Sequence, residues 1–129
     1  MTTVGEVMSA DLISVEPTDR VATAAAIMAA GRVGSALVME GDVLRGIFTE
    51  RDILRALARD PHSGQDSAVS RWMSANPMTI DPSTSVVAAL DRMFSGGFRH
   101  LPVVAGQAVV GVVSIRDLAR SLRGDVAHP

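Results

Sequence analysis

Slid along itself by 65 positions, this sequence matches itself without a gap. Val4 falls on Val69, Met8-Ser9-Ala10 on Met73-Ser74-Ala75, Pro17 on Pro82, Val21 on Val86 and Met28 on Met93. Further along, Gly31 falls on Gly96, Val38 on Val103, Gly41 on Gly106, Gly46 on Gly111, and Arg51-Asp52 on Arg116-Asp117. Roughly three in ten positions are identical, and most others exchange one apolar residue for another. A duplication of this kind constrains the fold before any local propensity does, because half a core cannot bury itself. The spacing predicts a first repeat at residues 1–59, a linker at 60–67, a second repeat at 68–123 and a flexible tail at 124–129.

Each copy offers the same run of elements. Val4 to Met8 and Val69 to Met73 have short helical spacing. Leu12 to Val15 and Met78 to Ile80 read as short strands closed by an acid and a proline, which places Thr18 and Ser83 as N-caps. Apolar residues then recur at three-and-four spacing through Val21, Ala24 and Met28, and through Val86, Leu90 and Met93. Gly31 and Gly96 are expected to stop these helices in a left-handed conformation. Two hairpins follow, Ser35 to Met39 with Val43 to Thr49 and His100 to Val104 with Ala108 to Ser114, turned at Gly41-Asp42 and Gly106-Gln107. Pro102 marks its strand as an edge or irregular one. A final helix closes each copy, giving an α+β fold of two pseudo-symmetric β-α-β-β-α repeats.

The third strand of each copy ends in the most distinctive stretch, Gly46 to Asp52 and Gly111 to Asp117. Each has glycine, two apolar residues, a hydroxyl (Thr49 or Ser114), and a carboxylate three positions on (Asp52 or Asp117). Such a hydroxyl and carboxylate flank the free N–H groups of a helix start, which suits a ligand carrying both a phosphate and a diol. The pattern is equally a capping box, and the two roles are compatible. The glycine leaves room for something to approach the backbone closely.

Composition narrows the function. A chain of 129 residues that is 47% hydrophobic and 3% aromatic builds an aliphatic core, with its seven Met as filler. A net charge of −2 argues against nucleic-acid binding. No cysteine is present, so thiolate chemistry is excluded and a reducing cytoplasm fits. Met1 to Leu12 lacks the pattern of a secretory signal, and the longest apolar stretch is too short to insert into a membrane. The three His are scattered, with His62 in the linker and His128 in the tail. Neither a nucleophile with its base nor a metal cluster is visible, so no catalytic residue, metal or required cofactor is expected.

The order of elements, with Gly46 to Asp52, Gly111 to Asp117 and Phe98-Arg99-His100-Leu101-Pro102-Val103-Val104, resembles the cystathionine-β-synthase (CBS) domain family, as a tandem pair known as a Bateman module. The likeness runs from Val4 to Leu122. It implies repeats packed through their sheets, adenosine-containing ligands such as AMP, ADP or ATP in two shared clefts, and a stand-alone regulatory or sensor role. It also implies a homodimer joined through helices, and an effector protein that the sensor regulates. One cleft would combine Thr49 and Asp52 with Met78, Thr79, Arg99, His100 and Pro102. The other would combine Ser114 and Asp117 with Ile13, Ser14, Gly34 and Ser35. On this allotment the cleft with Arg99 and His100 binds phosphate more tightly, since their counterparts Gly34 and Ser35 carry no charge. Arg51 and Arg116 are further phosphate candidates, though a first-turn Arg is more often at the surface. Trp72, which replaces Val7, is expected in packing or at an interface. The alternative function is a ligand-free adaptor or dimerisation module.

Overall fold

The structure, a computed structural model, describes residues 1–127. It divides into two compact units, and the division does not follow the repeats: one is continuous, Ile13–Pro77, and the other joins Met1–Leu12 to Met78–Pro129. Each repeat therefore lends its first helix and the segment after it to the hairpin of the other repeat.

The continuous unit is built on the hairpin β2 (Ser35–Glu40) and β3 (Val43–Thr49). On one side β2 pairs in parallel with β1 (Ser14–Val15); on the other β3 pairs antiparallel with β4 (Ser74–Ala75), the strand taken from the second repeat. The helices α2 (Val21–Gly31), α3 (Glu50–Arg59) and α4 (Val69–Trp72) cover this sheet. Val15, Val21, Ala24, Met28, Val38, Phe48, Ala56, Val69 and Trp72 form a single buried cluster. The alternation expected of a half-buried strand is lost in β2, where Ser35 to Val38 are buried in succession.

The discontinuous unit repeats the plan with β5 (His100–Ala105), β6 (Ala108–Ser114), α5 (Val86–Gly96), α6 (Ile115–Ala127) and the borrowed α1 (Val4–Val7). Its core is Val4, Ile80, Val86, Ala89, Met93, Leu101, Val103, Val113 and Leu118. Here the flanking strands shrink to single bridges, Ile80 to Val103 and Ser9 to Val112. Pro102 explains the first loss. In the continuous unit Leu37 N–H donates to Ile13 O at 2.9 Å and starts the β1 pairing. Pro102 occupies the position of Leu37 and has no N–H to give, so only the bonds around Ile80 remain, Ile80 N–H to Pro102 O and Val104 N–H to Ile80 O.

Both hairpins match expectation, including positive φ at Gly41 and Gly106. The helix ends do not. Thr18 and Ser83 are not N-caps: α2 starts after Arg20, without a side-chain cap, and α5 after Ser85, whose hydroxyl accepts the Ala88 N–H at 3.1 Å. The preceding acids hold turns that delay helix entry. Asp19 accepts from Glu16 N–H at 2.8 Å, and Asp81 accepts from the Ser83 amide and hydroxyl. The Ser83 hydroxyl, and then its amide, hold the exposed Asp81 carboxyl below the ordinary carboxylate range.

Gly31 and Gly96 are the last helical residues, and the left-handed position falls one residue later, on Arg32 (φ 55°) and Gly97 (φ 72°). Gly96 instead makes room for the Phe98 ring. Arg32 thus carries a conformation that its counterpart Gly97 adopts without cost. Arg32→Gly is expected to raise stability by about 0.5–1 kcal/mol, measured by urea denaturation; a loss of stability would show that the Arg32 side chain is held by something more valuable than the strain.

The linker is only partly solvated. His62 is exposed, but Gly64 is buried against Ala56 O, and Ser67 Oγ donates to Gly64 O while accepting Trp72 Nε1–H at 2.8 Å. Helix α6 continues to Ala127, beyond the end of the repeat likeness; His128 and Pro129 of the expected tail lie outside the described residues. Among the described residues no helix is long and apolar enough to cross a membrane.

Candidate functional site

The duplicated stretch folds as its spacing requires. Strand β3 delivers Thr49, and β6 delivers Ser114, to the residue immediately before a helix. Three residues on, the carboxylate turns back to the strand end. Asp52 Oδ2 accepts the Thr49 N–H at 3.0 Å and the Thr49 hydroxyl at 3.2 Å. Asp117 Oδ2 accepts the Ser114 N–H at 3.0 Å, and Ser114 Oγ accepts the Asp117 N–H at 3.0 Å. Both corners satisfy orphan amides of a helix start.

The corners differ in what surrounds the acid. Asp52 is 5% exposed, and its Oδ1 accepts from Arg55 Nη1 at 2.9 Å. Arg55 also reaches Trp72 O at 3.5 Å and lies 5.9 Å from the Trp72 ring centroid, while Arg71 stacks on the same ring at 4.7 Å. Trp72 is therefore packing within the continuous unit, 5% exposed. Asp117 is only half-buried, and among the described residues its Oδ1 has no hydrogen-bond partner. Its neighbouring Arg120, the counterpart of Arg55, forms no ion pair among the described residues; with Arg116, Ala119 and Arg123 it lines a hollow of about 260 Å³.

The residues that adjoin each corner within its own unit are also unlike. Thr49 pairs in register with Ser35, and the Glu50 N–H donates to Gly34 O at 3.1 Å. Ser35 is buried, Ile13 and Gly34 half-buried and Ser14 exposed. Ser114 pairs with His100, and the Ile115 N–H donates to Arg99 O at 2.8 Å. Arg99, Thr79 and Met78 are exposed, His100 is half-buried, and Pro102 is buried in β5. Each unit thus collects one acid together with the strand residues of its own repeat: Ile13, Ser14, Gly34 and Ser35 share a unit with Asp52, and Met78, Thr79, Arg99, His100 and Pro102 share one with Asp117. Met78 additionally lines a hollow of about 460 Å³ beside Asp91, Arg92, Ser95 and Gly96 on α5.

The glycine of the motif has a structural occupant. A Cβ on Gly46 would lie 2.7 Å from Met73 Sδ and from Ser74 O; on Gly111 it would lie 2.6 Å from Met8 Sδ and 2.7 Å from Ser9 O. The room expected for a ligand is taken by the segment borrowed from the other repeat. The Arg55 ion pair was missed in the sequence, although an Asp followed at i+3 by Arg on a helix is a readable signal. Among the described residues no group of three or more His, Cys, Asp or Glu could hold a metal ion.

Comparison with known proteins agrees with the fold. The family model described as CBS domain matches residues 4–59 and 69–124. An uncharacterized 17.7 kDa protein of Acidianus ambivalens is 37% identical over 94% of this chain and 73% of its own length. The solved structure of a putative signal-transduction protein with CBS domains from Burkholderia ambifaria superposes with a TM-score of 0.91, at 31% identity, covering 99% of this chain and 98% of that one. The CBS domain pair of protein MJ0100, solved in complex with 5′-methylthioadenosine and S-adenosyl-L-methionine, shares the fold at 24% identity with a TM-score of 0.88, over 97% of this chain and 98% of that one. With two matched copies spanning most of its length, the chain belongs to the CBS-domain family as a tandem pair.

Proposed function

We propose that this chain is a non-catalytic regulatory protein that takes an adenosine-containing ligand at the Ser114–Asp117 corner and reports its presence to an effector protein. The observation that carries the proposal is the state of Asp117: one carboxylate oxygen is fixed by the Ser114 amide, and the other is without a partner among the described residues. A carboxylate so held can accept both hydroxyls of a ribose, through charge-assisted hydrogen bonds that are stronger than neutral ones. Arg99 and His100, at the strand end beside Ser114, give a phosphate or a carboxylate tail a basic surface. Membership of a family in which the MJ0100 pair was solved with two adenosine derivatives supports the ligand class. The cysteine-free composition fits work in a reducing cytoplasm.

A second copy of the chain is the proposed assembly partner. Val87 and Phe94, 61% and 70% exposed, lie seven residues apart on α5, and Leu54 is 69% exposed on α3. Apolar side chains bared on helices suit helix-to-helix association. The same bared side chains favour the second reading, an adaptor acting through protein contacts alone.

The two readings separate in a thermal-shift titration with AMP, ADP, ATP, NAD and S-adenosylmethionine. A ligand at 100 times its Kd is expected to stabilise the chain by about 2.7 kcal/mol, which moves Tm by several degrees. No shift with any of the five at millimolar concentration would leave the adaptor.

A further inference from the structure

We infer that the duplicated corners are not two ligand sites: each chain takes one adenosine ligand, at Ser114 and Asp117, and the Thr49–Asp52 corner is a structural clasp. The inference rests on the function proposed above and adds the stoichiometry and the residues that set it.

The carboxylate of Asp52 is fully engaged. Its Oδ2 serves the amide and the hydroxyl of Thr49, and its Oδ1 holds Arg55 at 2.9 Å. A ribose diol could reach it only by expelling Arg55, which would leave a buried carboxylate without its counter-charge, a costly state. Arg55 is itself held by the Trp72 carbonyl and lies over the Trp72 ring, and that ring is pinned by the Nε1–H to Ser67 bond. The Thr49 hydroxyl gives its proton to Asp52, so that proton is not available to a phosphate. The strand residues beside this corner, Gly34 and Ser35, bring no charge.

At the corresponding place in the other unit the amide bond to the acid is kept and the rest of the clasp is gone. Val7 stands where Trp72 stands, 65 residues earlier in the chain. Arg120, where Arg55 stands, is exposed and among the described residues makes no ion pair. The Ser114 oxygen accepts the Asp117 amide, and its hydroxyl, unlike that of Thr49, makes no bond to the acid among the described residues, which leaves its proton able to donate to a phosphate. Arg99 and His100 replace Gly34 and Ser35. The arginine that lies over Trp72 is bonded to its acid, and the one whose unit has Val7 at that position forms no such bond among the described residues.

Isothermal titration of the full chain with AMP, ATP and S-adenosylmethionine, each in turn, tests this. The expected result is one ligand per chain, with Asp117→Asn lowering affinity about tenfold or more. Asp52→Asn, which keeps the size of the side chain, is expected to leave affinity within about twofold. Arg55→Gln serves as the second variant should Asp52→Asn fail to fold, with the same expected result. Two equivalent sites per chain would overturn the inference while leaving the proposed function intact; a tenfold loss on Asp52→Asn with none on Asp117→Asn would overturn the inference and the placement of the ligand at Asp117, and leave only the sensor role. Absence of binding by all three probes would remove the sensor function and this assignment with it.

Discussion

Phe48→Ala is expected to destabilise the chain by about 3–5 kcal/mol, the largest effect of any single truncation. Phe48 is fully buried and heads the largest buried side chains of the molecule. It sits in β3 between its pairings to β2 and packs among Val15, Val38, Ala56 and Trp72 in one cluster. The one ring beside it, Trp72, is held in place by its Nε1–H bond to Ser67 Oγ at 2.8 Å and does not swing in to fill the space. A whole domain is stable by only about 5–15 kcal/mol, so the variant should unfold at much lower urea. The counterpart Val113, also fully buried, is a smaller side chain, and Val113→Ala should cost less. Equal costs for the two variants would mean that the two cores are not separately packed.

Gly46→Ala is expected to cost about 3 kcal/mol, the upper end for overpacking. The methyl group would meet both Met73 Sδ and Ser74 O at 2.7 Å. The thioether can swing aside, but the carbonyl belongs to β4 and is fixed by the pairing of Ser74 and Ala75 with Ile47 and Gly46. Trimming Met73 should therefore not rescue the variant. This separates two reasons for the glycine. If its role is to admit a ligand, Gly46→Ala should fold as well as the parent and lose only binding. If its role is to admit the borrowed strand, the loss appears in urea denaturation without any ligand. The structure supports the second, and Gly111, whose Cβ would meet Ser9 O, should behave alike.

The sequence was informative where one residue decides one bond. The hairpins follow from Gly41 and Gly106 flanked by β-branched runs, and they stand within a residue of expectation. Pro102 marked an irregular strand, and its missing N–H is the reason Ile80 forms only a bridge. Errors arose where two residue types compete for one job. Thr18 and Ser83 have capping hydroxyls, but Asp19 and Asp81 use the local amides for turns first. Gly31 is the expected left-handed stop, whereas Arg32 takes that conformation and Gly31 ends the helix.

The exchange of first segments was not legible at all. Two nearly equivalent copies of α1 and α4 can each complete either hairpin, and a self-match contains nothing that says which one does. At the candidate site the hydroxyl–acid pairs were legible as capping boxes and are found as such. The difference between them was not, because it lies in a contact between Arg55 on α3 and Trp72 on α4, which only the folded chain brings together.

The most direct measurement is a crystal structure of the full chain grown with AMP and S-adenosylmethionine. The account predicts one ligand, its ribose hydroxyls on the Asp117 carboxylate and its charged tail toward Ser114 and Arg99, with Arg55 still bonded to Asp52. A ribose on Asp52 with Arg55 displaced, or an Asp117 carboxylate that faces only solvent while ligand binds elsewhere, would contradict it.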